Sequence, residues 1–293
     1  MGRHLLLAGV AALLVATAAR AEPVTVIDAM DRKVTLAAPP QRVVPIFASN
    51  SELVAALGLA NRIVGIEDYT RYPPEIVDRP RVGGRLGFSV DAIVALRPDL
   101  VVVTPSRQAM HQLLDPMSRL GIPVVVLLAR TMDEVLGNIR LLGRALGVPQ
   151  KGEEVSAALR ERLDAVRRKA EGRPCPRTVM VTGRLGNGLL LVARPDTYTG
   201  DALRLAGACF ALAGRGPVPQ VSPEAVLAAD PDILLVAGTR AVLEELVTRP
   251  GFREMRAVRA GRAMIVERAQ FLIPGPRTVD GIERLAERIR SAP

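Results

Sequence analysis

The chain contains no tryptophan, three lysines and two histidines, and aromatic residues make up only 3% of its 293 positions. One of the histidines, His4, lies in the N-terminal apolar segment, which leaves His111 and excludes a poly-histidine zinc or manganese site. The basic side chains are almost all arginine and are spread along the chain without a Lys/Arg block. No nucleic-acid partner is expected from such a distribution, and arginine is so abundant that a single one is weak evidence of a site. Beyond the N-terminus no apolar run approaches the ~18–20 residues that cross a bilayer. There is no Ser-centred nucleophile elbow, no Lys-Ser/Thr phosphate loop and no cluster of metal ligands, so neither an enzyme nor a resident cofactor is expected. What the chain does have is 49% hydrophobic residues against 24% charged, and a mean hydropathy of +0.23. A disordered chain is excluded, and there is material for two ordinary α/β domains.

Residues 1–21 read as a secretory leader: Arg3, an apolar stretch from Leu5 to Ala19, then the small-x-small pattern Ala19-Arg20-Ala21. Cleavage would take two of the nine net positive charges and leave +7. No cysteine lies near the cleavage point to accept a lipid, so the expected mature protein is soluble in the periplasm.

Strand-like runs at 43–46, 62–66, 99–103, 122–128, 177–182, 232–236 and 263–266 alternate with amphipathic segments, the pattern of largely parallel α/β sheets. Between the two groups, Thr131 and Glu134 have capping-box spacing and open a helix that Gly147 and Pro149 close. Val155, Leu159, Leu163, Val166 and Ala170 then recur at helical spacing, so 151–171 is expected to form a rod of about 30 Å between two lobes. The expected organisation is a leader at 1–21, a lobe at 22–148, a backbone helix at 149–173 and a lobe at 174–293.

The halves repeat each other. SVDAIVALRPDLVVV (89–103) aligns without gaps on SPEAVLAADPDILLV (222–236) with six identities. Both read as Ser cap, short helix, Pro-Asp turn and buried strand. Asp91 and Glu224 occupy matching places in the first helical turn, where an acid favours the helix dipole and where an exposed pair, one per lobe, would also suit a two-fold cationic partner.

Ligands of open α/β sheets bind beyond the carboxyl ends of the strands. The loops expected there carry Phe47, Ser49 and Asn50; Tyr69, Arg71 and Tyr72; Arg85 and Phe88; Arg107; and, in the second lobe, Arg184, Arg240, Arg268 and Phe271. Aromatics gathered beside arginines in this way describe a cleft for a bulky ligand with anionic oxygens. The glycine-rich run 183–188 is expected to be a turn between strands. Cys175 precedes the first strand of the second lobe and Cys209 follows the helix at about Tyr198 to Ala206. Both belong at the end of the sheet away from the cleft and form a disulfide candidate.

The segments RVVPIFASNSELVAALGLANRIVGI, DYTRYPPEI, RVGGRLGFSVDAIVALRPDLVVV, QVSPEAVLAADPDILLV and PGPRTVDGIERLA resemble the helical-backbone class of periplasmic substrate-binding proteins, which serve ABC importers of iron complexes, haem and cobalamin. The resemblance implies two Rossmann-like lobes with mostly parallel sheets, one long rigid helix and a cleft between them. It implies a monomer that docks through Asp91 and Glu224 onto arginines of a dimeric permease. For cargo, DYTRYPP is similar to cobalamin binders, with Tyr69 at the corrin-contacting position, but the tryptophan of their next loop is missing at Gly84-Arg85. Haem binders carry their tyrosine iron ligand in that loop, where this chain has Gly84. A ferric siderophore or related metal chelate is therefore the leading expectation and a corrinoid the alternative. Haem and a cargo-free sensor module follow behind.

Overall fold

The computed structural model describes residues 22–84, 86–104, 106, 109–212 and 220–291; the leader lies outside them, as do Arg85 and Arg107. An antiparallel pair, β1 (Val24–Ile27) and β2 (Lys33–Leu36), opens the first lobe. That lobe is built on three parallel strands in the order β3 (Val43–Pro45), β6 (Leu100–Val103), β7 (Val124–Val126). Between β3 and β6 come helix α1 (Ala48–Ala56), a hairpin of β4 (Gly83–Gly84) and β5 (Gly87–Phe88), and helix α2 (Val90–Ala95). A π turn at Met110–Leu114 runs into α3 (Asp115–Arg119) before β7.

Residues 62–66 do not form the expected strand. They make two single parallel bridges, Val43 with Ile63 and Ile66 with Arg81, because the chain changes partner within four residues. Gly65 sits at the change, where a Cβ would lie 2.4 Å from the Leu96 side chain.

Helix α4 (Met132–Ala145) starts as its capping spacing predicts, with Thr131 Oγ1 accepting from the Glu134 N–H at 3.1 Å. Pro149 opens α5 (Pro149–Ala170), 22 residues or about 33 Å at the helical rise. Helices α4 and α5 cross at two glycines: a Cβ on Gly143 would stand 2.9 Å from the Gly152 Cα. Leu159, Leu163 and Val166 are buried along α5. Arg160 pairs with Asp133 of α4 at 2.5 Å, and Arg162 pairs with Asp280 and Glu283 of the last helix at 2.6 Å each.

The second lobe has a mixed sheet in the order β11 (Gln220–Val221), β9 (Leu190–Val192), β8 (Arg177–Arg184), β12 (Ile233–Ala237), β13 (Ala263–Val266), with β10 (Cys209–Phe210) also on β8. Its β8, β12 and β13 are parallel. Its helices are α6 (Tyr198–Leu205), α7 (Pro223–Ala229), α8 (Arg240–Val247), α9 (Arg256–Arg259), α10 (Arg268–Leu272) and α11 (Arg277–Ser291). Of the 183–188 run, Gly183 and Arg184 end β8 and residues 185–188 lie in the β8–β9 turn.

The internal repeat is structural down to its hydrogen bonds. Ser89 and Ser222 both cap, accepting from Ala92 and Ala225 at 3.1 and 3.2 Å. Both helices end in a left-handed residue, Arg97 (φ 46°) and Asp230 (φ 35°). The Asp of each Pro-Asp turn accepts the N–H that opens its lobe's first strand, Arg42 to Asp99 at 2.8 Å and Arg177 to Asp232 at 2.9 Å. Each of those arginines then donates to the last turn of the repeat helix, Arg42 to Leu96 O at 2.6 Å and Arg177 to Ala229 O at 2.9 Å.

Strand alternation divides the core. Val101 and Val103 face a cluster confined to the first lobe, and Leu234 and Val236 one confined to the second. Leu100, Val102, Ile233 and Leu235 face a third cluster that runs through both lobes and includes α4, α5 and α11. The long helix is therefore no free spacer. It is packed along its length onto a core that the two lobes share.

Candidate ligand-binding cleft

The first-lobe wall is built where β3 ends. Phe47 adopts φ 76°, which costs a non-glycine residue of the order of 1–2 kcal/mol. In that conformation its half-buried ring meets Phe88 edge-on at 6.0 Å. Phe88 closes the β4–β5 hairpin and donates its N–H to Gln112 Oε1 at 2.9 Å. The hairpin lies against the next loop: a Cβ on Gly84 would be 3.0 Å from the Tyr69 ring. Tyr69 is 53% exposed, and Leu86 at the hairpin tip is fully exposed. Sequence reasoning passed over Leu86, although a leucine one residue from a hairpin-closing glycine, with no strand to bury it, is a readable signal.

Arg71 is exposed and donates from Nη1 to the carbonyls of Asp68 and Thr70 at 2.6 and 2.9 Å. Tyr72 does not stand alone as a ligand contact. Arg277 from the second lobe stacks on its ring, 3.9 Å from the centroid. Arg277 also pairs bidentately with Glu52 of α1, through Nε at 3.0 Å and through Nη2. The Glu52 side chain is 2% exposed, and burial raises its pKa despite the opposing guanidinium. This three-residue latch joins the lobes. Its only signal in the sequence is a lone acid inside an apolar helix.

In the second lobe Arg184, at the end of β8, pairs with Glu245 of α8, and Arg268 donates to Thr182 O at 2.7 Å. Both line a cavity of about 350 Å³ at the carboxyl ends of β8 and β12. Arg240 is exposed at the start of α8 and has no partner among the described residues.

Three residues of these loops, and Tyr198 at the start of α6, are core instead. Phe271 is 1% exposed, within the shared cluster. Asn50 is 1% exposed and donates to Ile46 O at 2.6 Å and Thr104 Oγ1 at 3.3 Å, tying the ends of β3 and β6; Ser49 is buried beside it. Tyr198 is buried, its hydroxyl bonded to Ile273 O at 3.0 Å and to Thr278 Oγ1; burial pushes its pKa up, against the opposing pull of the Thr278 bond. Position after a strand end did not distinguish a side chain lining the cleft from one turned back into the core. Thus Phe271, Asn50 and Ser49 offer no cleft surface.

Asp91 and Glu224 are exposed, each the second residue of its Ser-capped helix. Glu224 is held below the usual carboxylate range by its own N–H and by Ser222. Cys175 and Cys209 are disulfide-bonded with Cα atoms 5.4 Å apart, at the amino end of β8 and away from the cleft. No group of three or more His, Cys, Asp or Glu able to hold a metal occurs among the described residues.

Comparison with known proteins places this architecture. The ABC transporter substrate-binding lipoprotein YvrC of Bacillus subtilis is 29% identical over 276 residues, 91% of this chain and 85% of that one. The periplasmic vitamin B12-binding protein BtuF of Vibrio cholerae superposes with a TM-score of 0.77 at 23% identity, over 87% of this chain and 98% of that one. A periplasmic haem-binding protein from Pseudomonas aeruginosa superposes with a TM-score of 0.74 at 31% identity, over 87% and 94%. The sequence pattern of the periplasmic binding protein family matches residues 43–267. With two α/β lobes and one packed backbone helix, the chain belongs to the periplasmic binding protein family.

Proposed function

We propose that the chain, exported by residues 1–21, works as a periplasmic monomer whose lobes 22–148 and 174–293, joined by the backbone at 149–173, capture a ferric siderophore or related metal chelate. One observation carries the cargo class. Arg71 and Arg268 are positioned by backbone carbonyls and make no salt bridge among the described residues, so fixed positive charge with spare donors stands at the cleft end of both lobes. Beside it Tyr69 and Leu86 supply exposed apolar surface. An anionic chelate with an organic periphery uses both. The second reading, a corrinoid, is favoured by the exposed ring of Tyr69 alone.

The test is titration of the mature protein with a ferric hydroxamate, a ferric catecholate, cyanocobalamin and haemin, read by visible absorbance and by tyrosine emission, which no tryptophan masks. Saturable one-to-one binding of a ferric chelate is expected, weakened about tenfold or more by Arg71→Ala or Arg268→Ala, the loss of a charge-assisted bond. Binding of cyanocobalamin alone, or of haemin alone, would replace the reading, and no binding across the panel would favour a sensor.

Delivery to a dimeric permease is assigned to Asp91 and Glu224, which sit at equivalent points of the internal repeat, one per lobe. Capping by Ser89 and Ser222 supplies local stability there, and both carboxylates are exposed to meet arginines. Asp91→Ala with Glu224→Ala is expected to keep cargo affinity and abolish transport in a reconstituted system; undiminished transport refutes the assignment.

A further inference from the structure

The cavity of about 350 Å³ in the second lobe has a character that the chelate reading does not require. Its floor is made of strand and helix side chains that are themselves almost fully buried, Val181, Leu190, Val236 and Leu246, each 5% exposed or less. Charge is confined to the rim, where Arg184 pairs with Glu245 and Arg268 is fastened to the carbonyls of Thr182 and Ala237. Val242 of α8 stands at the mouth, 47% exposed, although large apolar side chains elsewhere on this face of the helix are covered. Gly238 keeps the opposite side of the mouth open: a Cβ there would come to 3.6 Å from Val242. The opening lies at the carboxyl ends of β8 and β12, the end of a parallel sheet where ligands bind. Water in such a site gains few hydrogen bonds, whereas an apolar group would cover the floor and leave an attached anion at the arginine rim.

We propose that this cavity receives an apolar arm of the cargo, so that the substrate class is an amphiphilic chelate: an anionic metal-binding head held at the arginine rim and an alkyl or aryl arm seated between Val242, Leu246 and the ends of β8 and β12. The inference rests on the chelate reading of the cleft and narrows it. Val242 is the specificity-determining position, because it alone of the apolar lining side chains is exposed at the mouth.

The experiment is a series of ferric complexes with one chelating head and alkyl arms of increasing length, titrated against the wild-type protein and Val242→Trp, which fills the mouth. Affinity in the wild type is expected to rise about fourfold per methylene until the cavity is full. In Val242→Trp the rise is expected to vanish; because Val242 is exposed, its fold is checked simply by circular dichroism. Equal affinity across the series in the wild type overturns the inference while leaving the chelate reading intact, and so does an unchanged rise in Val242→Trp. Failure of every member to bind, short arms included, overturns the chelate reading itself and the inference with it.

Discussion

Replacing Arg277 by alanine strips the interlobe latch of its cation and leaves the Glu52 carboxylate buried without a partner. Breaking a buried pair from one side costs about 3–5 kcal/mol. Arg277 keeps 24% of its side chain open to water, which places the expected loss near the lower bound, about 3 kcal/mol. For a chain of this size that corresponds to a fall in Tm of the order of 6–9 °C. The loss depends on pH with a definite sign. Burial raises the Glu52 pKa above its ordinary 4.5, with the Arg277 hydrogen bond pulling it back. The folded chain therefore binds this proton more tightly than the unfolded chain, and stability falls as pH rises from 4.5 through the raised folded value, then stays level. Without Arg277 the folded value moves higher still and the falling window widens. The deficit of Arg277→Ala relative to wild type should be largest near pH 8 and smaller near pH 5, where Glu52 takes up a proton and the buried charge disappears. Denaturant unfolding at the two pH values measures it, and pairing Arg277→Met with Glu52→Gln should recover most of the loss. A deficit under about 1 kcal/mol, or one that is equal at both pH values, would refute the account.

Two further expectations follow from the fold. The disulfide closes a separation of 34 residues, so Cys175→Ser with Cys209→Ser should lower stability by about 3–4 kcal/mol, and the native oxidised protein should show no reactive thiol in a thiol count. Gly143→Ala drives a Cβ to 2.9 Å from the Gly152 Cα, backbone against backbone, and should cost about 1–3 kcal/mol by forcing α4 and α5 apart; unchanged Tm would show that the crossing can relax.

The repeat was readable before any coordinates because each copy is a local unit. Ser cap, short amphipathic helix, Pro-Asp turn and apolar strand are set by contacts within about fifteen residues, and the same is true of the Thr131–Glu134 cap and the spacing of Leu159, Leu163 and Val166. The cleft was readable only as a set of loops. Which loop side chains face it depends on what packs underneath: the Tyr69 ring lies over Gly84 and stays exposed, whereas Phe271 and Tyr198 turn inward to fill the shared core. Residues 62–66 misled for a related reason. Apolar content marks burial but not pairing, and Gly65, where the strand partner changes, packs under Leu96, which follows a helix thirty residues further on.

From the order of residues alone came the α/β class, the doubled unit, the backbone helix and the loops that end each strand, since all of these follow from periodicity and capping within short stretches of chain. The latch of Glu52, Arg277 and Tyr72, the core common to both lobes and the apolar pocket beneath Val242 came only from the folded arrangement. Glu52 and Arg277 are 225 residues apart, and nothing local in either segment encodes the other. Their meeting, like the shape of a cavity, is a property of how whole lobes pack, and packing is decided by volume and burial summed over both halves of the chain.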